Sequence, residues 1–251
     1  MKLNIEGKIA LVTGGGRDIG KEISKTLAHE GAFVAINYNK SFKDAEKTAQ
    51  IIIDNGGKAK IYKADITNYD DVKNMVNKIK DECGDIDFLI NNAGYTKIQR
   101  FVESTPLDWD RQIDTSLKGA INCCHAVAPD MISKKFGKII NLVGDSSRIG
   151  EANLSATAAA RGGTIALGKS LAKEFGRSNI TVNTVSLGLV ETSHSDKTFL
   201  ETNKEKIIKS YPLKRIGTPK DIAPIVVFLC SENANWITGQ IISVNGGFCM
   251  V

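Results

Sequence analysis

The chain is poor in the residues that build disulfide frameworks and metal centres. Its five cysteines, Cys83, Cys123, Cys124, Cys230 and Cys249, are odd in number and contain no Cys-x-x-Cys pair. That argues against a disulfide-stapled scaffold and for free thiols in a reducing compartment. The three histidines, His29, His125 and His194, have no ligand-like spacing, so no metal is expected. Long apolar runs are missing: none reaches the length a bilayer-spanning helix needs. Met1-Lys2-Leu3-Asn4-Ile5-Glu6 also lacks the apolar core of a secretory signal. A cytoplasmic protein without a membrane partner is the expectation. Charge forms no blocks either. Lys plus Arg number 33 against 28 Asp plus Glu, a net charge of +5. The lysines are scattered along helix-like segments, which reads as solvated faces and not as a nucleic-acid surface. The mild positive field favours an anionic cofactor or substrate.

What the chain does contain is one glycine-rich turn in a telling place. Val12-Thr13-Gly14-Gly15-Gly16-Arg17-Asp18-Ile19-Gly20 follows the apolar run Ile9-Ala10-Leu11-Val12 and precedes a helical pattern with Ile19, Ile23 and Leu27 on one face. Strand, glycine turn and helix form the context of a phosphate-binding loop. Amides at the helix start can hold a dinucleotide pyrophosphate, and glycine lets the main chain approach it.

Short apolar strands then alternate with amphipathic helices. Strands are expected at 9–12, 33–38, 60–65, 88–94, 138–143, 181–185 and 241–244, with helices at 42–55, 70–83, 107–135, 155–175 and 219–229. This alternation implies βαβ units. The expected fold is α/β: a single-domain doubly wound, Rossmann-type parallel sheet with helices on both faces, spanning 1–251. Its ligand would lie at the carboxyl ends of the strands. The stretch 188–212 is polar and weakly periodic, and reads as a lid over that site.

The glycine loop, Asp65, Asn91-Asn92-Ala93-Gly94 and the ending Ile237-Thr238-Gly239-Gln240…Val244-Asn245-Gly246-Gly247 occur together and in order. This combination, spanning essentially the whole chain, resembles the classical short-chain dehydrogenase/reductase family, particularly its 3-oxoacyl-acyl-carrier-protein reductase-like members. The resemblance implies that Gly14, Arg17, Asp18, Ile19 and Gly20 cradle a pyrophosphate. It implies that Asp65 and the backbone of Ile66 meet the adenine, and that Asn92, Ala93 and Gly94 line the ribose side. Gly188, Val190 and Thr192 would hold the nicotinamide carboxamide. It also implies a homo-oligomer, dimer or tetramer, built on the helices at 107–135 and 155–175. The family usually has glycine at position 18. A carboxylate there is expected to point outward and cap the first helical turn.

Cofactor choice has a separate argument. An acid at the end of the second strand binds a ribose 2′-OH and repels a 2′-phosphate. Here that place holds Tyr38-Asn39-Lys40, and Arg17 and Lys40 can pair with a phosphate. NADP(H) is therefore favoured over NAD(H), with Asn39 and Lys40 at the 2′ position.

The resemblance places the family's catalytic tyrosine and lysine at Thr157 and Arg161, its asparagine at Ser116 and its serine at Gly144, with Ser146 and Ser147 following. An alkyl hydroxyl is a far weaker acid than a phenol, and arginine does not relay protons. Tyr95, Ser146, Asp145 and His194 are the substitute acid–base or oxygen-binding candidates, beside Thr157 and Arg161. Three readings stay open: an NADP(H)-dependent ketone reductase with an atypical proton donor, a member doing dehydration, cyclisation or isomerisation, and a non-catalytic assembly subunit. The expected partner is a small-molecule substrate, possibly carrier-bound.

Overall fold

Every strand pairing in the molecule is parallel. The computed structural model describes residues 2–193, 195 and 197–251. In chain order the strands are β1 (Ile9–Val12), β2 (Phe33–Tyr38), β3 (Lys58–Lys63), β4 (Phe88–Asn91), β5 (Gly137–Gly144), β6 (Ile180–Leu187) and β7 (Ile241–Val244). The helices are α1 (Asp18–His29), α2 (Phe42–Asp54), α3 (Tyr69–Cys83), α4 (Pro106–Ile113), α5 (Gly119–Lys134), α6 (Ser146–Ile149), α7 (Ser155–Phe175), α8 (Lys197–Lys209) and α9 (Pro219–Cys230). The strands form one sheet in the order β3-β2-β1-β4-β5-β6-β7. The order reverses between β1 and β4, which opens a crevice beyond their carboxyl ends.

A parallel sheet covered on both faces demands strands apolar on both sides. β1 and β4 meet that demand, since all their residues are buried. Alternate side chains feed two cores. Ala10, Val12, Val34 and Ile36 pack with Ile23 and Leu27 of α1 and Val226 and Val227 of α9. Leu11, Ala35 and Leu89 face the other way, against Val72 and Ile79 of α3 and Val127 and Met131 of α5. Helix starts are set by polar caps. Asn68 accepts from the amides of Asp70 and Asp71 at 2.9 and 3.1 Å. Thr105-Pro106 and Thr218-Pro219 combine a capping threonine with proline in the first turn.

The structure corrects the sequence expectation in three places. The helix expected over 107–135 is interrupted by a π-helical turn at Asp114–Lys118. There the Thr164 hydroxyl of α7 donates to the Ser116 carbonyl at 2.9 Å, a tertiary contact that periodicity does not reveal. β4 stops at Asn91, because the next residues bond to the glycine turn. β3 begins and ends earlier than expected, and Asp65 falls in the turn after it. Within the stretch 188–212, where no helix was expected, the described residues include one. It is α8, with Leu200 buried, and Tyr211 is buried with its hydroxyl accepting from the Leu189 amide at 2.8 Å. Among the described residues no helix is long and apolar enough to cross a membrane.

Candidate functional site

The crevice is organised by the turn between β1 and α1. Gly14 has φ of +59°, the left-handed region that glycine enters without strain. A Cβ at Gly20 would lie 2.3 Å from the Gly14 carbonyl oxygen, so the turn closes only with glycine there. Two asparagines clamp it. Asn37 of β2 accepts from the Gly14 amide at 3.4 Å and donates to the Ala64 carbonyl at 3.1 Å. Asn92 donates to the carbonyls of Thr13 and Gly14 at 2.9 and 3.2 Å. The Thr13 hydroxyl accepts from the amides of Asn92 and Ala93, both at 3.0 Å. Asn92 and Ala93 are thus brought to the loop, with the Asn92 side-chain amide committed to the protein. The first-turn amides of α1 have no acceptor within the helix and point to the crevice end.

Asp18 departs from expectation. It opens α1 with φ of +51°, and its side chain is only partly exposed. Oδ1 instead accepts from the Ser193 amide and hydroxyl, both at 2.8 Å, and so ties the turn to the segment after β6. The reason lies in the backbone: the left-handed conformation aims the side chain across the crevice. Arg17 is exposed, with Nε 3.9 Å from Asp18 Oδ2.

At the tips of β2 and β3 the structure gathers Asn39, Lys40 and Asp65. The Asp65 carboxylate accepts from the Thr67 amide and hydroxyl at 3.0 and 2.8 Å. Partial burial works to raise its pKa, but the Thr67 bonds, the Asn39 side chain and the Lys40 charge together hold it below the usual carboxylate range. Ile66 is buried beside it, its carbonyl accepting from Asn122 at 2.9 Å.

On the other side of the crevice stands Arg161 of α7. Its guanidinium lies between Gly94, after β4, and Gly144, at the end of β5. A Cβ at Gly94 would sit 2.9 Å from Nη2 and 3.6 Å from Ser116 Oγ. A Cβ at Gly144 would sit 3.3 Å from Nη1 and 3.6 Å from Ser146 Oγ. Arg161, Ser116 and Ser146 therefore do converge. Arg161 Nε and Ser116 Oγ are buried without a hydrogen-bond partner among the described residues. Loss of solvent pushes the guanidinium pKa down, yet arginine stays charged.

Thr157 does not join them. Its hydroxyl donates to Gln112 Oε1 of α4, which also accepts from the Lys97 amide at 3.2 Å. Tyr95 is half-buried, its ring covered by Arg111 at 3.7 Å from the centroid. Two further candidates are structural. Asp145 is buried and accepts from Ser186 and Asn245, each at 2.6 Å, so it ties β5 to β6 and to the carboxyl-terminal segment. Ser147 donates to the Gly144 carbonyl at 2.6 Å. His194 lies outside the described residues. Past β6, a Cβ at Gly188 would lie 3.1 Å from both Asn245 and Tyr211. Val190 bridges Gly217, and the Thr192 amide donates to Ser195 Oγ at 2.9 Å.

Sequence reasoning missed Asn37, Gln112 and Tyr211. Asn37 carried a readable signal, a polar residue inside an otherwise apolar buried strand. Gln112 had none beyond standing four residues before Ser116. A cleft of about 350 Å³ between α1 and α2 is lined by Glu22, Lys25, His29 and Ile52, away from these groups.

Comparison with known proteins bears on the family and the fold. A family model described as enoyl-(acyl carrier protein) reductase matches residues 14–249. The 3-oxoacyl-[acyl-carrier-protein] reductase FabG of Staphylococcus epidermidis is 41% identical over 246 residues, covering 97% of this chain and 99% of its own. The enzyme of that name from Thermotoga maritima is 34% identical over 251 residues, covering 98% and 99%. A crystal structure of a candidate gluconate dehydrogenase from Agrobacterium tumefaciens superposes with a TM-score of 0.95 at 28% identity, over 100% of this chain and 99% of that one.

Proposed function

The chain belongs to the short-chain dehydrogenase/reductase family, with 3-oxoacyl-[acyl-carrier-protein] reductases among its relatives, and from that membership we propose that it reduces a carbonyl compound with NADP(H), using an atypical proton donor. The observation that carries this reading is the intact cradle. The turn from Gly14 to Gly20 is clamped by Asn37 and Asn92, while Asn39, Lys40 and Asp65 stand together at the neighbouring strand tips.

The residues suit a phosphorylated dinucleotide. Backbone amides at the start of α1, with Arg17 and Ile19, would hold the pyrophosphate. Lys40 and Asn39 would meet a 2′-phosphate, and Asp65 with Ile66 the adenine. Gly94 and Arg161 would meet the nicotinamide ribose, and Gly188, Val190 and Thr192 the carboxamide. The stretch 188–212 would act as the lid. When bound, such a cofactor supplies the hydride. This chain must still deliver a proton. Thr157 is spent on Gln112 and arginine does not give one up. Tyr95, on the loop after Gly94, is the phenol we assign to the task, with Ser146 orienting the substrate oxygen.

A second reading, non-redox chemistry or an assembly role on the same fold, is favoured by one observation: the hydroxyl at position 157 is tied into α4. In either reading we place the protein in the cytoplasm as a dimer or tetramer acting on a small molecule, free or carrier-bound.

Fluorescence titration with NADPH tests the cradle. Stopped-flow NADPH oxidation with a ketone panel tests reduction. Binding without oxidation of any ketone would move the assignment to the second reading, and absence of binding would sink both enzymatic forms. In an active enzyme, unchanged turnover in Tyr95→Phe would remove that residue as donor.

A further inference from the structure

Gln112 of α4 is buried, with 1% of its surface exposed, and most of its hydrogen-bonding capacity is spent on three different segments. Its Oε1 accepts from the Lys97 amide at 3.2 Å and from the Thr157 hydroxyl of α7, which uses both lone pairs of that oxygen. Its Nε2 donates to the Asp108 carbonyl at 3.0 Å, one turn back in its own helix. The side chain therefore joins the loop after β4, α4 and the helix that carries Arg161. Burying a long amide side chain costs rotamer freedom and desolvation, neither of which an aliphatic side chain of the same size would cost in full.

The ties on that loop gather around one residue. Tyr95 stands two residues before the Lys97 amide and directly after Gly94, where a Cβ would sit 2.9 Å from Arg161 Nη2. The guanidinium of Arg111, beside Gln112 in α4, covers the Tyr95 ring at 3.7 Å from its centroid. Lys97 Nζ reaches Asp108 Oδ1 at 2.6 Å, and the Gln99 amide donates to the Asn153 carbonyl at 3.0 Å. Among these partners only Gln112 is buried; the others are partly or fully exposed, where such contacts are weak. Loop residues are ordinarily mobile. A reacting group displaced by about 1 Å can cost about 10² in rate.

We propose that Gln112 is a positioning residue for proton delivery: by holding the Lys97 amide against α4, it fixes the Tyr95 phenol at the wall of the crevice. This rests on the reading above that Tyr95 is the donor. Gln112 acts through Tyr95 and meets neither substrate nor cofactor. The Thr157 hydroxyl fills its second lone pair and is dispensable, because the Lys97 bond remains without it.

NADPH oxidation with ethyl acetoacetate and with the N-acetylcysteamine thioester of acetoacetate tests it, beside a fluorescence titration of NADPH. Gln112→Met removes the acceptor at similar size, and Gln112→Asn withdraws it by one methylene, so that one reports if the other is unstable. In each, kcat should fall about tenfold or more, while NADPH affinity stays within about twofold. Gln112→Glu keeps the acceptor oxygen and should stand at least about threefold above Gln112→Met in kcat. In a Tyr95→Phe background, Gln112→Met should deepen the loss by less than about twofold, since the two residues act through one proton transfer. A tie that is only structural would lower the melting temperature and leave kcat as it was. Unchanged kcat in Gln112→Met and Gln112→Asn, equal losses in Gln112→Met and Gln112→Glu, or multiplicative losses with Tyr95→Phe would overturn this proposal alone. Unchanged turnover in Tyr95→Phe, or no oxidation with either substrate, would sink the donor reading and the proposal with it.

Discussion

The Asp18 carboxylate accepts from both the backbone amide and the hydroxyl of Ser193, each at 2.8 Å, and so joins the glycine turn to the segment beyond β6. It does so from a left-handed backbone conformation that costs a non-glycine residue about 1 kcal/mol. Asp18→Gly removes that strain and the clasp together, so net stability should change by less than about 1 kcal/mol. It also removes a negative charge from the expected phosphate position. NADPH affinity in fluorescence titration should rise about threefold to tenfold, and trypsin should cut more readily at Lys197. Unchanged affinity would mean that the carboxylate faces away from the bound phosphate.

Thr157 gives a sharper test of the catalytic assignment. Its hydroxyl bonds to Gln112, which retains the Lys97 amide as a second partner. Thr157→Val should therefore cost about 1 kcal/mol in denaturant unfolding, the worth of one buried hydrogen bond. Turnover with any active ketone should stay within about twofold, since loss of a true proton donor costs about 10² or more.

Cofactor preference should follow Lys40. It is exposed at the tip of β2, near Asp65. Lys40→Ala should weaken NADPH by about fivefold to tenfold, the worth of an accessible phosphate contact, and leave NADH nearly unchanged. Equal losses for the two nucleotides would place the lysine away from the 2′ position.

Much of this architecture was readable because the central parallel strands are covered on both faces and so are apolar along their length. Ile9–Val12, Phe33–Tyr38 and Ile241–Val244 stand where the pattern put them, and α7 begins and ends at Ser155 and Phe175 as expected. What was not readable depends on tertiary contacts. The π-helical turn at Asp114–Lys118 accompanies the capture of the Ser116 carbonyl by Thr164, forty-eight residues away. Nothing local to Thr157 shows that its partner is Gln112. Asp145 looked like an acid near a catalytic loop, yet Ser186 and Asn245 claim both of its oxygens. The convergence of Arg161, Ser116 and Ser146 followed from the strand order, but the missing counter-charge is visible only when every neighbour is placed.

Gly94 offers a way to move the Arg161 fork without changing its charge. A methyl group there would start 2.9 Å from Nη2, the mobile end of a long side chain. Gly94→Ala should shift the guanidinium at little cost, with unfolding free energy within about 1 kcal/mol of the parent. NADPH affinity in fluorescence titration should nevertheless fall severalfold. Retained affinity together with retained stability would show that the fork does not meet the nicotinamide ribose.

The last prediction concerns acid stability at the start of α9. Asp221 accepts from Arg215 Nη1 and Nη2 at 2.7 and 2.5 Å, and from the Thr218 amide and hydroxyl at 2.7 and 2.9 Å. The Arg215 bonds are the largest effect; burial opposes them, and the Thr218 bonds and the Arg215 charge then add to hold the carboxyl well below the usual range. A carboxyl whose folded pKa is depressed stabilises the fold above its unfolded value, 3.8, and loses that contribution as pH falls towards the folded value. The pair is partly exposed, so the expected worth is that of a helix cap, about 1 kcal/mol, and not of a buried ion pair. Asp221→Ala should therefore lower stability by about that amount at pH 7. The gap between variant and parent should stay constant down to about pH 5 and narrow below pH 4, because protonation then takes from the parent what the variant already lacks. Urea unfolding of both proteins across that range measures it. A gap that widens in acid would mean that Asp221 acts through packing and not through its charge.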